Sequence, residues 1–490
     1  MARKLAQVSG YTLTLHGTGS IRTNGRLSLA SGAFTGTNVV TVDGEMSWSS
    51  ISIGGSANTV FLITTNGRLN LITVGSKFFY GALANAGRIV WTDPGAFNPY
   101  GLLHNLAGGL IDAQSNAVMN ASGGSVLVNQ GTLRKSGSTG NTDIEPLLIN
   151  TGTLDAQVGA IRCTNQAKTF STGTRFTGAG TNLLSALTSG QALTLDGVFS
   201  SENLVLGSAT LAGNGTLNGV MGWSSGSLGA GASLTVASTS LLQRRGSGST
   251  KNLSGTLTNA GQMSWTGGAM NLYGLIHNAA GGLFEARNDV ALNYPSGTPV
   301  FINDGTFRQT ASRGNTTVEV AFVNKGTVDT QTGTIQFLQE AKTFNAGCRF
   351  TGAGRATLTG GTVTLNGTIE SENLVLAGAT LSGAGSVNGS FTWNRGTLTP
   401  DGSFNVTPAG QLLLAVRLAP LLSVTRTPAN TVVVSWPGPE AGWKLQATTS
   451  LSPTPVVWAP LPPPYQSCGT NLCFIEAAPA ANKFYRLHKP

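Results

Sequence analysis

SENLVLGSATLAGNGTLNG, residues 201–219, returns as SENLVLAGATLSGAGSVNG at residues 371–389, 170 positions further on. The chain is a repeat protein, and the extent of the repeat decides its fold. Outward from this stretch, GNTDIE at 140–145 returns as GNTTVE at 314–319, and RFTGAG at 175–180 returns at 349–354, both shifted by 174. Trp48, Trp223 and Trp393 bracket the unit as one series, with Trp91 and Trp265 as a second. The long copies cover about residues 44–219 and 220–389, with partial copies at both ends.

A finer period lies inside each copy. Asn85, Asn105, Asn129 and Asn150 each precede a Gly by two or three places at spacings of 20, 24 and 21; Asn259, Asn278, Asn303 and Asn324 do the same at 19, 25 and 21. Between them stand short alternating runs such as Leu204-Val205-Leu206, too short and of the wrong period for a helical repeat. A unit of about 20 residues cannot bury its own apolar side chains, whereas stacked units share one core. The expectation is an all-β fold: a right-handed parallel β-helix, or β-solenoid, over residues 1–415. Asn-x-Gly would make the bends, since Gly adopts φ > 0 freely and Asn tolerates it. Asn side chains in successive turns would stack as a hydrogen-bonded ladder. Unrelated hairpin turns are the alternative, but hairpins have no reason to keep one spacing in both copies. About 415 residues at roughly 20 per turn give on the order of 20 turns and a rod on the order of 100 Å long, at about 4.8 Å per turn.

Composition agrees. Gly contributes 67 of 490 residues, charged residues are 10% and apolar residues 40%, which argues for packed β structure rather than disorder. The net charge is +9, and residues 416–490 hold six Lys/Arg against two Asp/Glu, leaving +5 for the first 415. Charge this dilute makes no footprint for nucleic acid. The adjacent basic pairs Arg3-Lys4, Arg134-Lys135 and Arg244-Arg245 read as chain start and solvated loops. No run approaches the roughly 18–20 apolar residues of a membrane span, and residues 1–10 lack the apolar core of a secretory signal. With an otherwise extracellular composition, the expectation is a secreted or cell-surface protein whose signal lies upstream of this chain; a cytoplasmic location is the alternative.

From 414–422 the Asn/Gly spacing stops and Pro enters. The runs at 432–437, 443–446, 456–458 and 484–487 suit a small β-sandwich over about 420–490. Ser435-Trp436-Pro437, the Trp443-Lys444-Leu445-Gln446 strand, Trp458 before a Pro-rich loop and a closing Phe484-Tyr485-Arg486-Leu487 with Pro490 resemble the fibronectin-III-like domain that ends large secreted bacterial repeat proteins. The array resembles the β-strand repeats of autotransporter-like adhesins, without a barrel segment after it. The resemblance implies an extracellular, surface-displayed protein and brings no catalytic residue; the partner expected is an extracellular polysaccharide or cell-surface ligand.

Residues that could carry chemistry are few. No nucleophile elbow, metal set or phosphate loop is present, so no cofactor is expected. Cys163 and Cys348 face Phe337 and Thr174 in the other copy and read as small buried apolar residues. Cys468 and Cys473, in CGTNLC, read as a disulfide suited to an oxidising compartment, with free thiols as the alternative. His104 and His277 share the context G-L-[LI]-H-N and read as structural corner residues. Polysaccharide-cleaving β-helix enzymes need converging carboxylates; here Glu145/Glu319, Asp155/Asp329 and Glu202/Glu372 recur once per copy, as turn caps would. Glu285, Asp289 and Asp304 come nearest to an exception. Trp91 and Trp265 are candidate platforms for stacking a sugar ring, with filling of a corner as the competing role. The leading expectation is a non-catalytic repeat protein, with a carbohydrate-active β-helix enzyme as the alternative.

Overall fold

The computed structural model describes residues 5–489 apart from 51, 55–58, 247–249, 415–419, 439–441, 453–454 and 479–481; the Arg3-Lys4 pair lies outside them. Two compact units result, Met1–Leu414 and Ala415–Pro490. The first is a parallel β-solenoid of about 19 turns, and no helix occurs among the described residues.

Each strand pairs with the one three places on, so a regular turn holds three strands and the stack has three parallel sheets. Lys77–Phe79 pairs with Phe97–Pro99, Ala82–Asn85 with Leu102–Asn105, and Arg88–Trp91 with Leu110–Ala113. Within a strand every second side chain points inward and is buried, as in Val126–Asn129 and Leu147–Asn150, which the two-residue pleat dictates. The 201–219 stretch is one such turn: Ser201 pairs with Gly219 across it. Here strands fuse around a corner, as Gly197–Leu206 and Asn214–Trp223, and at the end of the second copy as Thr362–Leu398.

The asparagines form two ladders. Asn85, Asn105 and Asn129 each donate Nδ2–H to the Oδ1 of the next at 2.6–2.7 Å, ending on Asn150, which donates to Thr174 Oγ1 at 3.1 Å. Asn259, Asn278, Asn303 and Asn324 repeat it at 2.7–2.8 Å. The first rungs follow Ile63 and Val236, so the Oδ1 atoms of Asn85 and Asn259 have no donor.

The Asn-x-Gly glycines serve a purpose other than the expected positive φ. A Cβ on Gly87 would fall 2.1 Å from the Thr64 carbonyl oxygen and one on Gly261 2.2 Å from that of Ala237; glycine lets one turn's bend lie against the previous one. Positive φ belongs instead to Gly108 and Gly281, at +83° and +82°, in the longer bends.

Trp48 and Trp91 stand in one inward column with Leu71 between them and Ala113 and Lys135 following. Its counterpart runs Trp223, Arg244, Trp265, Ala286, Gln309. The two tryptophan series are thus one structural position. Elsewhere the cores differ: the second copy stacks Phe284, Phe301, Phe322, Phe337 and Phe344 where the first has Ile111, Leu127, Leu148, Cys163 and Phe170.

The second unit has two antiparallel sheets. One orders Ser423–Arg426, Thr431–Pro437, Asn471–Ala477 and Gln466–Cys468; the other joins Ala459–Leu461, Lys444–Thr448 and Phe484–His488. Val434 and Trp436 from the first sheet and Leu445 from the second share a core. The run 456–458 precedes its strand rather than forming it: Val457 is 74% exposed, and pairing starts at Ala459.

Candidate functional site

The carboxylates are the first test of chemistry, and the repeat spends them on structure. Glu202 and Glu372 accept the amides of Gly178 and Gly352 at 3.3 and 3.2 Å, while Glu145 and Glu319 accept those of Ala121 and Tyr294 at 3.2 Å. Asp155 and Asp329 pair with Arg134 and Arg308 at 2.8 and 2.7 Å. Glu285, Asp289 and Asp304 do not converge: Glu285 pairs with Arg287 at 3.2 Å, Asp304 with His277 at 2.9 Å, and Asp289 accepts from Ser312. Glu285 also belongs to the repeat after all, because Asp112 holds its place in the first copy and precedes Arg134 as Glu285 precedes Arg308. His104 and His277 lie on strands rather than at corners, and His104 meets Gln130 at 3.1 Å where His277 meets Asp304.

Trp91 and Trp265 are 0% and 1% exposed. Their indole N–H groups donate to Gly95 O at 3.2 Å and Gly268 O at 2.9 Å. The rings meet Phe97 and Phe284 in T-shaped contacts at 6.1 Å and are enclosed, so no sugar can reach them: they fill corners and are not glycan platforms. Nor are the basic pairs solvated loops. Lys135 and Arg244 close strands with 0% exposure, and only their neighbours Arg134 and Arg245 face outward. Burial depresses Lys135 below the usual lysine value and Arg244 to about 10.

Further lysines are buried in the same way. Lys168 Nζ donates to the carbonyls of Glu145, Pro146, Thr164 and Gln166 at 2.6–3.2 Å, and its repeat partner Lys342 to those of Val320, Leu338 and Glu340 at 2.6–2.9 Å. The bends thus converge carbonyl dipoles on one ammonium, which offsets part of its desolvation. Burial pushes both lysines down to about 8.

A groove of about 630 Å³ on the outer surface runs along one corner from the end of the first copy into the second. Asn214, Ser233, Thr256, Leu275 and Val300 are successive register partners along it. Ser254, Thr298 and Tyr273 add to the wall, and among the described residues lining it the one ionisable side chain is the Tyr273 phenol. Tyr273 is 40% exposed. No family model matches this chain, and no curated protein matches it.

A smaller hollow of about 260 Å³ holds Arg349, Glu370, Glu372 and Asn388. Arg349 and Glu370 are cross-turn neighbours, and Glu370 accepts Asn388 Nδ2–H at 2.9 Å. Glu370 breaks the repeat, since Ser200 stands there in the first copy; aligning the copies residue by residue would have exposed it. Among the described residues no three His, Cys, Asp or Glu groups are placed to hold a metal.

Cys163 and Cys348 are buried thiols. Burial pushes them up to about 11 and about 12, so neither is a nucleophile at neutral pH. Cys348 takes the Thr174 place at the end of the second ladder, beside Asn324. The Cα atoms of Cys468 and Cys473 are 5.9 Å apart with their sulfurs facing.

Proposed function

We propose that the chain is a non-catalytic extracellular repeat protein whose solenoid presents a binding surface for polysaccharide or another cell-surface ligand. The small C-terminal β unit, read as fibronectin-III-like, serves attachment or export. The observation that carries this reading is the corner groove, which spans five turns and is walled, among the described residues, by hydroxyls, amide and apolar groups; the carboxylate beside it, Asp196, stands at one end and accepts the Asn214 N–H at 2.9 Å. A cleaving enzyme needs a proton donor and a base or nucleophile in its groove; a binding groove needs shape and a few polar groups. The facing Cys468 and Cys473 fit an oxidising, secreted setting.

The competing enzyme reading draws on Glu370 and Glu372. They lie two residues apart on one side of a strand, roughly 6–7 Å along the backbone, with Arg349 alongside, and Glu370 stands outside the repeat. Incubating the protein with pectin, alginate and neutral glucans while following reducing ends and unsaturated products separates the two. No turnover is expected. Cleavage that disappears in Glu370→Gln would overturn the non-catalytic reading.

A further inference from the structure

The two copies build the same corner from different side chains, and the difference leaves a ring-sized opening in one of them. In the first copy Tyr80 and Tyr100 occupy equivalent places one turn apart, and their rings stack with centroids 4.5 Å apart and planes at 16°. The second copy has Ser254 in place of Tyr80 and Tyr273 in place of Tyr100. The backbone is alike: Tyr100 N–H donates to Phe79 O at 2.7 Å as Tyr273 N–H donates to Leu253 O at 2.8 Å. A Cβ on Gly101 or Gly274 would meet the carbonyl of Gly81 or Gly255 at 2.1 Å. The corner that stacks one aromatic ring on another in the first copy therefore offers Tyr273 with no ring partner from Ser254, and the 630 Å³ groove opens there.

We infer that Tyr273 is a stacking platform for one ring of a neutral polysaccharide, which takes the place that Tyr80 fills in the first copy. The inference rests on the binding function proposed above and gives it a site and a ligand class. The apolar C–H face of a pyranose matches an aromatic face by dispersion and removal of water. Its equatorial hydroxyls meet Ser233, Ser254, Thr256 and Thr298, with Asn214 further along. Neutrality follows from the wall: among the described residues that line it no Lys or Arg is present to balance a uronic carboxylate, whose desolvation would go uncompensated. The volume falls within the roughly 300–1,000 Å³ of ligand sites, and the five turns along the corner suit an extended polymer.

The test uses the full chain and a panel of soluble probes: a β-glucan, a galactomannan, chitin oligosaccharides and, as the anionic control, polygalacturonate. Binding is measured by calorimetry and affinity electrophoresis. Wild type should bind at least one neutral probe and bind polygalacturonate at least tenfold more weakly. Tyr273→Ala should weaken neutral binding at least tenfold, and Tyr273→Phe should retain it. Ser254→Tyr supplies the ring the first copy has and should block the site to the same extent while melting like wild type. Tyr100→Ala should leave binding unchanged. Neutral binding that survives both Tyr273→Ala and Ser254→Tyr would overturn this site yet leave a binding solenoid standing, and so would preference for polygalacturonate. Absence of binding to every neutral probe overturns the inference. Turnover of a probe by wild type instead overturns the non-catalytic reading.

Discussion

Lys168 and Lys342 show what a single residue does in this stack. Each is enclosed, and each ammonium is held by backbone carbonyls of two neighbouring bends. Replacing Lys168 with Met would keep the volume and take the ammonium from four carbonyls, of which that of Glu145 keeps the Gln166 N–H at 3.1 Å, at a cost on the order of 2–4 kcal/mol; urea midpoints check it. The pH dependence follows from the lowered values. With folded values of about 8 against about 10.4 unfolded, the unfolded chain holds more protons between those limits. This contribution therefore raises stability as pH climbs from about 8 towards 10.4, and below 8 its cost is fully present. Wild type should gain stability over that window relative to the Lys168→Met/Lys342→Met double variant. Parallel midpoint curves for the two proteins would rule the titration out. The ladder makes a second residue-scale prediction. Asn129 both donates and accepts within its ladder, whereas Asn85 has no donor for its Oδ1. Asn129→Leu should thus cost more than Asn85→Leu, by roughly 1–2 kcal/mol.

At the scale of elements, the bends set how closely turns can stack. Gly261→Ala would drive a methyl to 2.2 Å from the Ala237 carbonyl oxygen, whereas Gly281→Ala meets nothing within 4 Å and suffers only from φ of +82°. The second substitution should cost about 1–2 kcal/mol. The first should cost more, because backbone on both sides has to shift. Thermal melts of the pair decide the order, and equal losses would mean that close approach does not constrain these bends. The SEN triplet is explained at this scale as well. Ser201 Oγ donates to Val220 O and Ser371 Oγ to Ser390 O, both at 2.6 Å, and Asn203 and Asn373 reach carbonyls of the turn before. Each residue of the triplet ties one turn to a neighbour.

For the whole molecule, stability in a stacked array is close to a sum of turn and interface contributions. Removing residues 220–389 joins Gly219 to Ser390, and Ser201 then finds the Ser390 carbonyl where it had that of Val220. The product should be a shorter folded solenoid. Deleting about ten residues would instead turn inward side chains outward and unfold the neighbouring turns. Circular dichroism and small-angle scattering on both deletions test this, and tolerance of the short deletion with collapse of the long one would contradict nearest-neighbour stacking. The second unit has its own core around Val434, Trp436 and Leu445. Intact mass with alkylation, before and after reduction, should find Cys468 and Cys473 bonded in the native protein.

Much of the solenoid was legible in the chain because a stacked turn places its neighbours one period away. A period of about 20 with Asn at each bend therefore announced both the fold and the ladders, and the doubled SEN stretch announced the register. What the sequence could not supply was side-chain direction at corners and the meeting of residues across turns of unequal length. The step is 18 residues from Gly197 to Gly215 but 25 from Leu275 to Val300. Trp91, Lys135 and Arg244 each end a short strand, where one residue's shift separates core from solvent. A Lys is normally placed outside by its charge, and only converging bend carbonyls make the inside tolerable. The groove at Tyr273 is likewise a tertiary result: it arises because Ser254, one turn back, is too small to cover the ring that Tyr80 covers in the first copy.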